Sequence, residues 1–357
     1  MTDIEDIIYN EKAMLSGVLA ALIVKNDGVS IEAARKRIER AQSPIHKVRG
    51  LFVDNQSFIY HSDYFGSEEY FEKLNDVFEI AGKRCAAIIN AIKYHHGLIS
   101  KTDLANYSFS PIKNIKGHVT FSTLISKLKN IDVLRDYDDN HYELHPYLYD
   151  YKSQNLQHYK AIQFTQNLVI NQFSQWSRNT GLVSFNTGTL NSEVGGFQFG
   201  FTSPSYINGF VQYKDGHPKP GFLAADVVIG NSTKSQDVTF FINKIEAIKG
   251  SNKTIRVFPV ILIDGVEPTA LNQLKQAGVM IGTIRELFGE DYNELLKTLI
   301  NTITNAGTVL KKDPESYIKL MEQLTKLVDG KTNNLRGDLF ELAVGYYYGQ
   351  YLIFRGC

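Results

Sequence analysis

The sequence has few of the features that mark secreted or membrane proteins. Its 357 residues contain only two cysteines, Cys85 and Cys357, so it predicts no disulfide framework. The apolar stretch at residues 14–24 is too short to span a bilayer and predicts a core helix instead. The amino terminus, MTDIEDIIYNEK, is acidic where a secretory signal would be basic. These absences together predict a cytoplasmic protein with no membrane partner.

The sequence also has no excess of charge of either sign. Its 38 lysines and arginines balance 38 aspartates and glutamates, so the total charge identifies no partner. The glycines of VGGFQFG, residues 194–200, are not followed by the Gly-Lys-Ser/Thr of a phosphate-binding loop, and they fit strand-end turns better. What remains is an ordinary globular composition, 43% hydrophobic and 21% charged, which suffices for two or three domains.

The first part of the chain, residues 1–70, predicts helices followed by a hairpin. Apolar residues at helical spacing predict a helix over residues 11–25, which Gly28 ends. Ser30 is the predicted N-cap of a basic helix, IEAARKRIERA. Two short apolar runs flank Asp54 and Asn55, a pattern that predicts a β-hairpin.

The second part, residues 71–150, repeats that order of elements. Residues 71–97 predict one long helix ended by Gly97, and Ser100 then caps a predicted short helix. Residues 118–132 predict a third helix, and residues 133–146 predict a hairpin that turns at residues 138–140. In both parts, the order of helix, helix and hairpin resembles that of winged helix-turn-helix domains. This resemblance implies DNA binding, with protein docking as the alternative role of such domains.

Basic residues cluster on the segments that would approach DNA in a winged helix. Residues 83–129 contain eight lysines and arginines against one acid, and residues 25–50 contain seven against three. Such residues contact phosphates, while polar residues on a helix can read base edges in the major groove. The predicted contacts to double-stranded DNA are Arg35, Lys36, Arg37, Arg40, Lys116, Ser122, Thr123, Ser126, Lys127 and Lys129. The alternative is that these are only solvated helix faces.

The third part, residues 155–306, predicts an α/β domain. A long helix is followed by three strand-like segments, and then helices and apolar strands alternate, which indicates a sheet with a parallel portion. Two further helices are predicted over residues 291–307 and 313–330, and residues 312–357 form a C-terminal helical region that ends in a terminal fragment. The predicted fold class is therefore α/β, or α+β overall, with two winged-helix domains preceding the α/β domain.

The element order of residues 155–306, and the local pattern of residues 222–288 above all, resembles the restriction endonuclease-like fold of the PD-(D/E)xK nucleases, in particular their Mrr-like branch. The resemblance implies two acids on adjacent strands that hold Mg²⁺, and a lysine two residues beyond the second acid. Asp226 is the candidate metal ligand, but position 228 is Val228 and the next lysine is Lys234. Glu193 and Asp215 are the candidate upstream acids.

The broken motif predicts either a nuclease-like domain that has lost its catalytic set or a related α/β domain that never had one. The alternative role for Asp226 is a strand-end carboxylate that accepts a backbone N–H or pairs with Lys244. At the end of the chain, Gly337, Phe340 and Glu341 resemble the first helix of an Mrr-like nuclease domain, in which the glutamate would face the metal. That likeness predicts a shortened product of a longer nuclease architecture. The alternative is a C-terminal helix, residues 335–351, that docks on the α/β core.

The sequence therefore predicts a DNA-binding protein of restriction or defence type with a degenerate nuclease-like domain, and a homodimer is its candidate assembly. No cofactor is expected to be bound obligatorily. The first alternative is an active Mg²⁺-dependent DNA endonuclease that uses Asp226 with acids that the sequence does not place. The second is a winged-helix transcriptional regulator whose α/β domain mediates assembly or senses a ligand. Glu193 and Lys234 are the other candidate catalytic residues, and convergence of Glu193, Asp226 and Lys234 in space would favour the enzyme.

Overall fold

The structure is a computed structural model that describes residues 3–149, 156–230, 232–251 and 255–305. The predicted C-terminal helices, and Glu341 with them, lie outside the described residues. No helix within the described ranges is long and apolar enough to cross a membrane.

The first unit is a small helical bundle closed by a three-stranded sheet. Its elements are α1 (Ile4–Glu11), β1 (Ala13–Leu15), α2 (Ser16–Asp27), α3 (Ile31–Arg40), β2 (Ile45–Arg49) and β3 (Ser57–His61). The strands lie in the order β1, β3, β2, and both pairings are antiparallel. The prediction of one helix over residues 11–25 is wrong at its start, because residues 13–15 pair with β3 instead of coiling.

The predicted caps and turns of this unit are confirmed. Gly28 ends α2 in the left-handed conformation at φ 66°, a backbone geometry that glycine adopts without steric cost. The Ser30 hydroxyl accepts the backbone N–H of Ala33 at 3.2 Å and so caps α3. Asp54 and Asn55 both have positive φ in the turn that joins β2 to β3.

The second unit has the same sheet order. Its elements are α4 (Glu68–Ala81), α5 (Lys83–Tyr94), β4 (Leu98–Ser100), the 3₁₀ turn Asp103–Tyr107, α6 (Phe121–Asn130), β5 (Leu134–Asp136) and β6 (His141–Leu144). The strands lie in the order β4, β6, β5. The prediction of one long helix over residues 71–97 is wrong, because the helix is interrupted at Gly82 and the segment forms α4 and α5. A Cβ there would lie 2.6 Å from the ring of Phe78, so the residue must stay small.

The third predicted helix, residues 118–132, is present but shorter, as α6 begins at Phe121 and ends at Asn130, and two local predictions are confirmed. The Ser100 hydroxyl accepts the N–H of Asp103 at 3.0 Å and caps the 3₁₀ turn. The Asp138 carboxylate accepts the backbone N–H groups of Asn140 and His141, both at 2.7 Å, and so forms the predicted hairpin turn.

The third unit is a five-stranded mixed sheet between helices, and the predicted α/β alternation is confirmed. Helix α7 (Leu156–Asn179) precedes β7 (Thr189–Val194), β8 (Phe197–Ser205), the ribbon β9 (Gln212–Lys214) and β10 (His217–Lys219), and β11 (Gly221–Val228). Then follow α8 (Ser235–Ser251), β12 (Val257–Ile263), α9 (Pro268–Gln276), β13 (Met280–Thr283), α10 (Ile284–Phe288) and α11 (Glu290–Thr304). The sheet order is β7, β8, β11, β12, β13, in which β11, β12 and β13 are parallel and β8 is antiparallel to both of its neighbours.

Alternate residues of β11 face the two helical layers. Leu223, Ala225 and Val227 belong to the apolar cluster that includes residues of α7 and α11. Ala224 and Val228 belong instead to the cluster that includes residues of α8, and this second cluster continues into both N-terminal units. Asp226 therefore points by strand alternation toward α8, in a layer that the second unit shares.

Candidate functional site

The centre of the α/β domain holds a buried acid–base pair, Asp226 and Lys244. Asp226 comes from β11 and Lys244 from the facing side of α8, and their Oδ2 and Nζ atoms are 2.8 Å apart. The Asp226 side chain is 5% exposed and that of Lys244 is not exposed at all. The other carboxylate oxygen, Oδ1, accepts the backbone N–H of Gly200 at 2.6 Å. A backbone N–H and Lys244 are the two partners predicted for Asp226 in its alternative, non-catalytic role.

Each hydrogen of the Lys244 ammonium has an acceptor. Besides Asp226, the Nζ atom donates to the carbonyl of Gln198 at 2.7 Å and to the carbonyl of Asn106. It also lies over the rings of Phe199 and Phe240, at 4.5 and 5.0 Å from their centroids. Asn106 belongs to the 3₁₀ turn of the second unit, so Lys244 joins three elements from two units.

Burial governs the electrostatics of this pair. Loss of solvent raises the pKa of the Asp226 carboxyl and lowers the pKa of the Lys244 ammonium, while the attraction between the two groups opposes both shifts. The pair carries no net charge as a unit, so it can lie in the core without a further counterion. Removing either member would leave a charge that nothing nearby neutralises.

A cavity of about 50 Å³ lies beside the pair and has room for a few water molecules. It is partly open to solvent and is lined by the 3₁₀ turn of the second unit, α7, β7, β8, β11 and α8. Carboxamides dominate its polar lining, which consists of Asn106, Gln163, Gln166, Asn167 and Asn191, together with Asp103 and Asp226. This lining offers many hydrogen-bond donors and acceptors but little charge.

The 3₁₀ turn is fixed over the cavity by polar contacts. The Asp103 carboxylate accepts the Tyr159 hydroxyl at 2.9 Å and the Gln163 amide. The Tyr107 hydroxyl bonds both amide atoms of Gln166, at 3.1 and 2.8 Å. The second unit therefore forms one wall of the cavity that Asp226 lines.

The structure does not bring the predicted catalytic residues together. Glu193 on β7 pairs with Lys113 at 2.9 Å. Lys234 is exposed just before α8, where its backbone N–H donates to Asp237 at 2.8 Å. Neither residue lines the cavity beside Asp226, and Asp215 lies in the turn between β9 and β10.

The resemblance implies a magnesium ion, and the residues present do not fit one. Both oxygens of Asp226 already accept hydrogen bonds, from Gly200 and from Lys244. Among the described residues, no group of three or more His, Cys, Asp or Glu side chains is placed to hold a metal ion. Mg²⁺ requires near-octahedral oxygen coordination, which this arrangement does not offer. We therefore derive no metal-dependent step from this site.

The predicted DNA contacts of the first unit are mostly exposed. Arg35, Lys36 and Arg40 on α3 are exposed and form no ion pair with any residue that the structure describes. Arg37 is the exception, because its guanidinium pairs with Asp27 on α2. The Lys47 ammonium donates to the carbonyls of Glu39 and Ala41, and this contact fixes β2 against the end of α3.

The corresponding residues of the second unit make more internal contacts. Lys127 donates to the carbonyls of Arg49 and Gly50, both at 3.2 Å, and so joins α6 to the first unit. Lys129 pairs with Asp136 on β5. The other predicted contacts, Lys116, Ser122, Thr123 and Ser126, are exposed. Helix α6 therefore exposes hydroxyl groups near its start, while its two lysines make internal contacts.

Sequence reasoning missed the carboxamides that line the cavity, although α7 carries a signal for them. Gln163, Gln166, Asn167 and Ile170 follow one another at helical spacing, and all four line the cavity. A polar stripe on a long helix beside an α/β sheet could have been identified from this spacing. Asn106 and Asn191 carry no such signal, because each lies in a short segment far away in sequence.

Comparisons with known proteins find only remote likenesses. No known protein family matches the chain, and no curated protein matches it. One solved structure with a likeness is the DNA modification-dependent restriction endonuclease AspBHI, at 13% identity and a TM-score of 0.23, covering 42% of this chain and 40% of that one. Another is protein VC1899 from Vibrio cholerae, at 8% identity and a TM-score of 0.19, covering 61% and 50%. The chain thus spans half or less of either protein.

Proposed function

We propose that this chain is a DNA-binding protein of restriction or defence type. Its two N-terminal units are winged-helix modules in this proposal. Its α/β domain is a restriction endonuclease-like domain in which a buried acid–lysine pair replaces a working metal site. Three features of the molecule support these statements in turn.

The winged-helix assignment is supported by a repeated topology. Each unit has a helix before its first strand, a helix before its hairpin, and a sheet in which the third strand lies between the first and second. Helices α3 and α6 are the elements that would enter the major groove in such a module. The hairpins β2–β3 and β5–β6 would be the wings.

The observation that carries DNA binding is the exposed cationic face of α3. Arg35, Lys36 and Arg40 lie on the helix that precedes the first hairpin, and no described acid pairs with them. Three unpaired cations on one helix would displace condensed counterions from a DNA backbone, which gives affinity that falls with salt. An open cleft between α3 and the hairpin, lined by Arg35 and Lys47 among others, has a volume of about 530 Å³ beside this face.

The α/β domain supports the restriction-type assignment by its layout. The domain begins with a helix, an antiparallel strand pair and a third strand that carries Asp226. A helix and parallel strands then follow. Val228 stands where the resemblance expects a lysine, and it is 1% exposed within the core. This domain then serves assembly or recognition rather than catalysis.

Removing the cations of α3 should weaken binding to duplex DNA. We expect the variant Arg35→Gln, Lys36→Gln, Arg40→Gln to bind about tenfold more weakly near 0.1 M salt, with a salt slope reduced by roughly three. Fluorescence anisotropy with a labelled duplex over a salt series measures both quantities. The matched control removes three exposed lysines elsewhere, Lys73→Gln, Lys275→Gln and Lys297→Gln. Equal losses in the two variants, or no loss in the first, would contradict the assignment of α3.

A second candidate function, Mg²⁺-dependent endonuclease activity, is favoured by one contact. Lys244 lies 2.8 Å from Asp226, so a lysine stands beside the acid although it comes from another element. Because both carboxylate oxygens of Asp226 already accept hydrogen bonds, we expect supercoiled plasmid to shift with protein and to remain unnicked with Mg²⁺ as with EDTA. Nicking that requires Mg²⁺ and is lost in Asp226→Asn, a variant that can keep the contact to Gly200, would establish the endonuclease instead.

A further inference from the structure

One end of the α/β domain exposes three separate aromatic rings. Phe185 and Tyr213 are each 77% exposed, and Tyr206 is 53% exposed. All three belong to two connections at the same end of the sheet, residues 182–187 and residues 206–220. We call these two segments together the aromatic end surface. No part of the acid–lysine site lies in either segment.

The longer connection forms a projecting two-stranded ribbon. Strands β9 and β10 pair only with one another, and residues 217–219 are all exposed. Asp215 and Gly216 have positive φ in the turn between them, which is the backbone of a tight hairpin. At its base, the Phe210 ring packs on Phe258 with centroids 4.8 Å apart. The ribbon is therefore anchored on β12 while its tip is surrounded by solvent.

The shorter connection is fixed beside the start of the longer one. The backbone N–H of Ser184 donates to the carbonyl of Pro204 at 3.1 Å. The hydroxyl of Ser205 donates to the carbonyl of Leu182 at 2.7 Å. These two bonds hold the residues that flank Phe185 against the end of β8, directly before Tyr206. Phe185 and Tyr206 thus lie at the same end of the sheet, from which the ribbon that carries Tyr213 projects.

The surroundings of the rings are positively charged. Arg178, Lys219 and the neighbouring Arg256 stand beside these segments, against one acid, Asp215. Arg178 donates to the carbonyl of Thr187 at 3.0 Å, and Arg256 donates to the carbonyl of Gly209 at 2.9 Å. Both contacts place a guanidinium next to a segment that carries an exposed ring. The surface therefore favours a polyanion that also has flat apolar faces.

We propose that the aromatic end surface binds the unpaired bases of single-stranded nucleic acid. Exposed rings stack on bases whose faces are free, and adjacent cations attract the phosphates between them. A duplex would not use the rings, because its bases are already stacked. A protein partner would favour one contiguous apolar patch instead of separate rings amid cations. This inference rests on the proposed function in taking nucleic acid as the partner, but it assigns a second surface.

The test compares two probes on the full chain. A labelled oligothymidine of about 15 nucleotides reports on the rings, and a duplex of the same length reports on the winged-helix units. We expect Phe185→Ala, Tyr213→Ala to weaken binding of the oligothymidine by about tenfold or more, because two stacking rings are lost, and to leave duplex affinity unchanged. Tyr147→Ala is the matched control, since Tyr147 is 53% exposed in the second unit.

The outcomes separate this inference from the proposed function. Duplex binding without oligothymidine binding would overturn the inference and leave the proposed function intact. Oligothymidine binding that is equal in the wild type and the double variant, or that falls equally in Tyr147→Ala, would also overturn the inference. Failure of the wild-type chain to bind either probe would overturn both.

Discussion

Replacing Lys244 by methionine is expected to lower the free energy of unfolding by about 3–5 kcal/mol at neutral pH. The methionine would keep most of the side-chain volume but remove the charge that faces Asp226 at 2.8 Å. Asp226, which is 4% exposed, would then either stay charged without a partner or take up a proton. Both outcomes cost free energy, and the carbonyls of Gln198 and Asn106 would lose a donor as well. Urea denaturation of both proteins measures the difference.

The pH dependence of this loss identifies its cause. Without Lys244, burial raises the folded-state pKa of Asp226 far above that of the unfolded chain. The folded variant then binds a proton that the unfolded chain does not, so its stability rises relative to the wild type as the pH falls toward the ordinary carboxyl pKa. The double variant Asp226→Asn, Lys244→Met should recover most of the loss at neutral pH. A loss due only to altered packing would show neither the pH dependence nor the recovery.

An exposed ion pair provides the matched control. Lys129 and Asp136 are side by side in the second unit, with side chains 39% and 44% exposed. Lys129→Met should cost less than about 1 kcal/mol, because surface pairs are solvated and screened. If Lys244→Met costs no more than this, the buried pair is not an organising contact of the α/β domain, and the wall formed by the second unit is held by other bonds.

The elements that were predicted correctly depend on local chemistry. Ser30 caps α3 through a bond to a residue three positions away, and Asp138 forms its turn through bonds two and three positions away. Such contacts are visible in a short window of sequence. The strand at residues 13–15 was missed because its pairing partner, β3, lies more than forty residues later, and tertiary pairing overrides an apolar pattern that suits a helix.

The candidate site was only partly predictable for the same reason. Asp226 stands out because it interrupts an apolar strand, and Lys244 could be proposed as its partner from helix spacing alone. The carbonyl of Asn106 completes the Lys244 contacts only because the two units pack together, and no local sequence pattern encodes this packing. The ribbon β9–β10 did carry a local signal, Asp215-Gly216, but its strands are only three residues each and lack the alternation that marks a longer strand.

A histidine at the junction of the second unit and the α/β domain should make the protein sensitive to acid. His95 follows α5, is 1% exposed, and lies within 4.7–5.5 Å of the ring centroids of Tyr94, Tyr107 and Tyr159. Burial, aided by the nearby His158 and His96, lowers the pKa of His95 to about 3. The unfolded chain takes up a proton near the ordinary value of 6.5, and the folded chain does not. Stability should therefore fall as the pH drops from about 6.5 toward about 3, by about 2 kcal/mol at about pH 5.

Replacing His95 by leucine should remove this contribution. Neither ring nitrogen of His95 has a hydrogen-bond partner among the described residues, so the substitution sacrifices no bond that those residues make. We expect stability within about 1 kcal/mol of the wild type at neutral pH and a smaller decline toward pH 5. Urea denaturation of both proteins across this range measures the two slopes, and His46→Leu, at an exposed position on β2, controls for losing a histidine as such. Equal slopes in wild type and His95→Leu would show that His95 is already charged or solvated in the folded chain. They would contradict the placement of a neutral imidazole among three tyrosine rings.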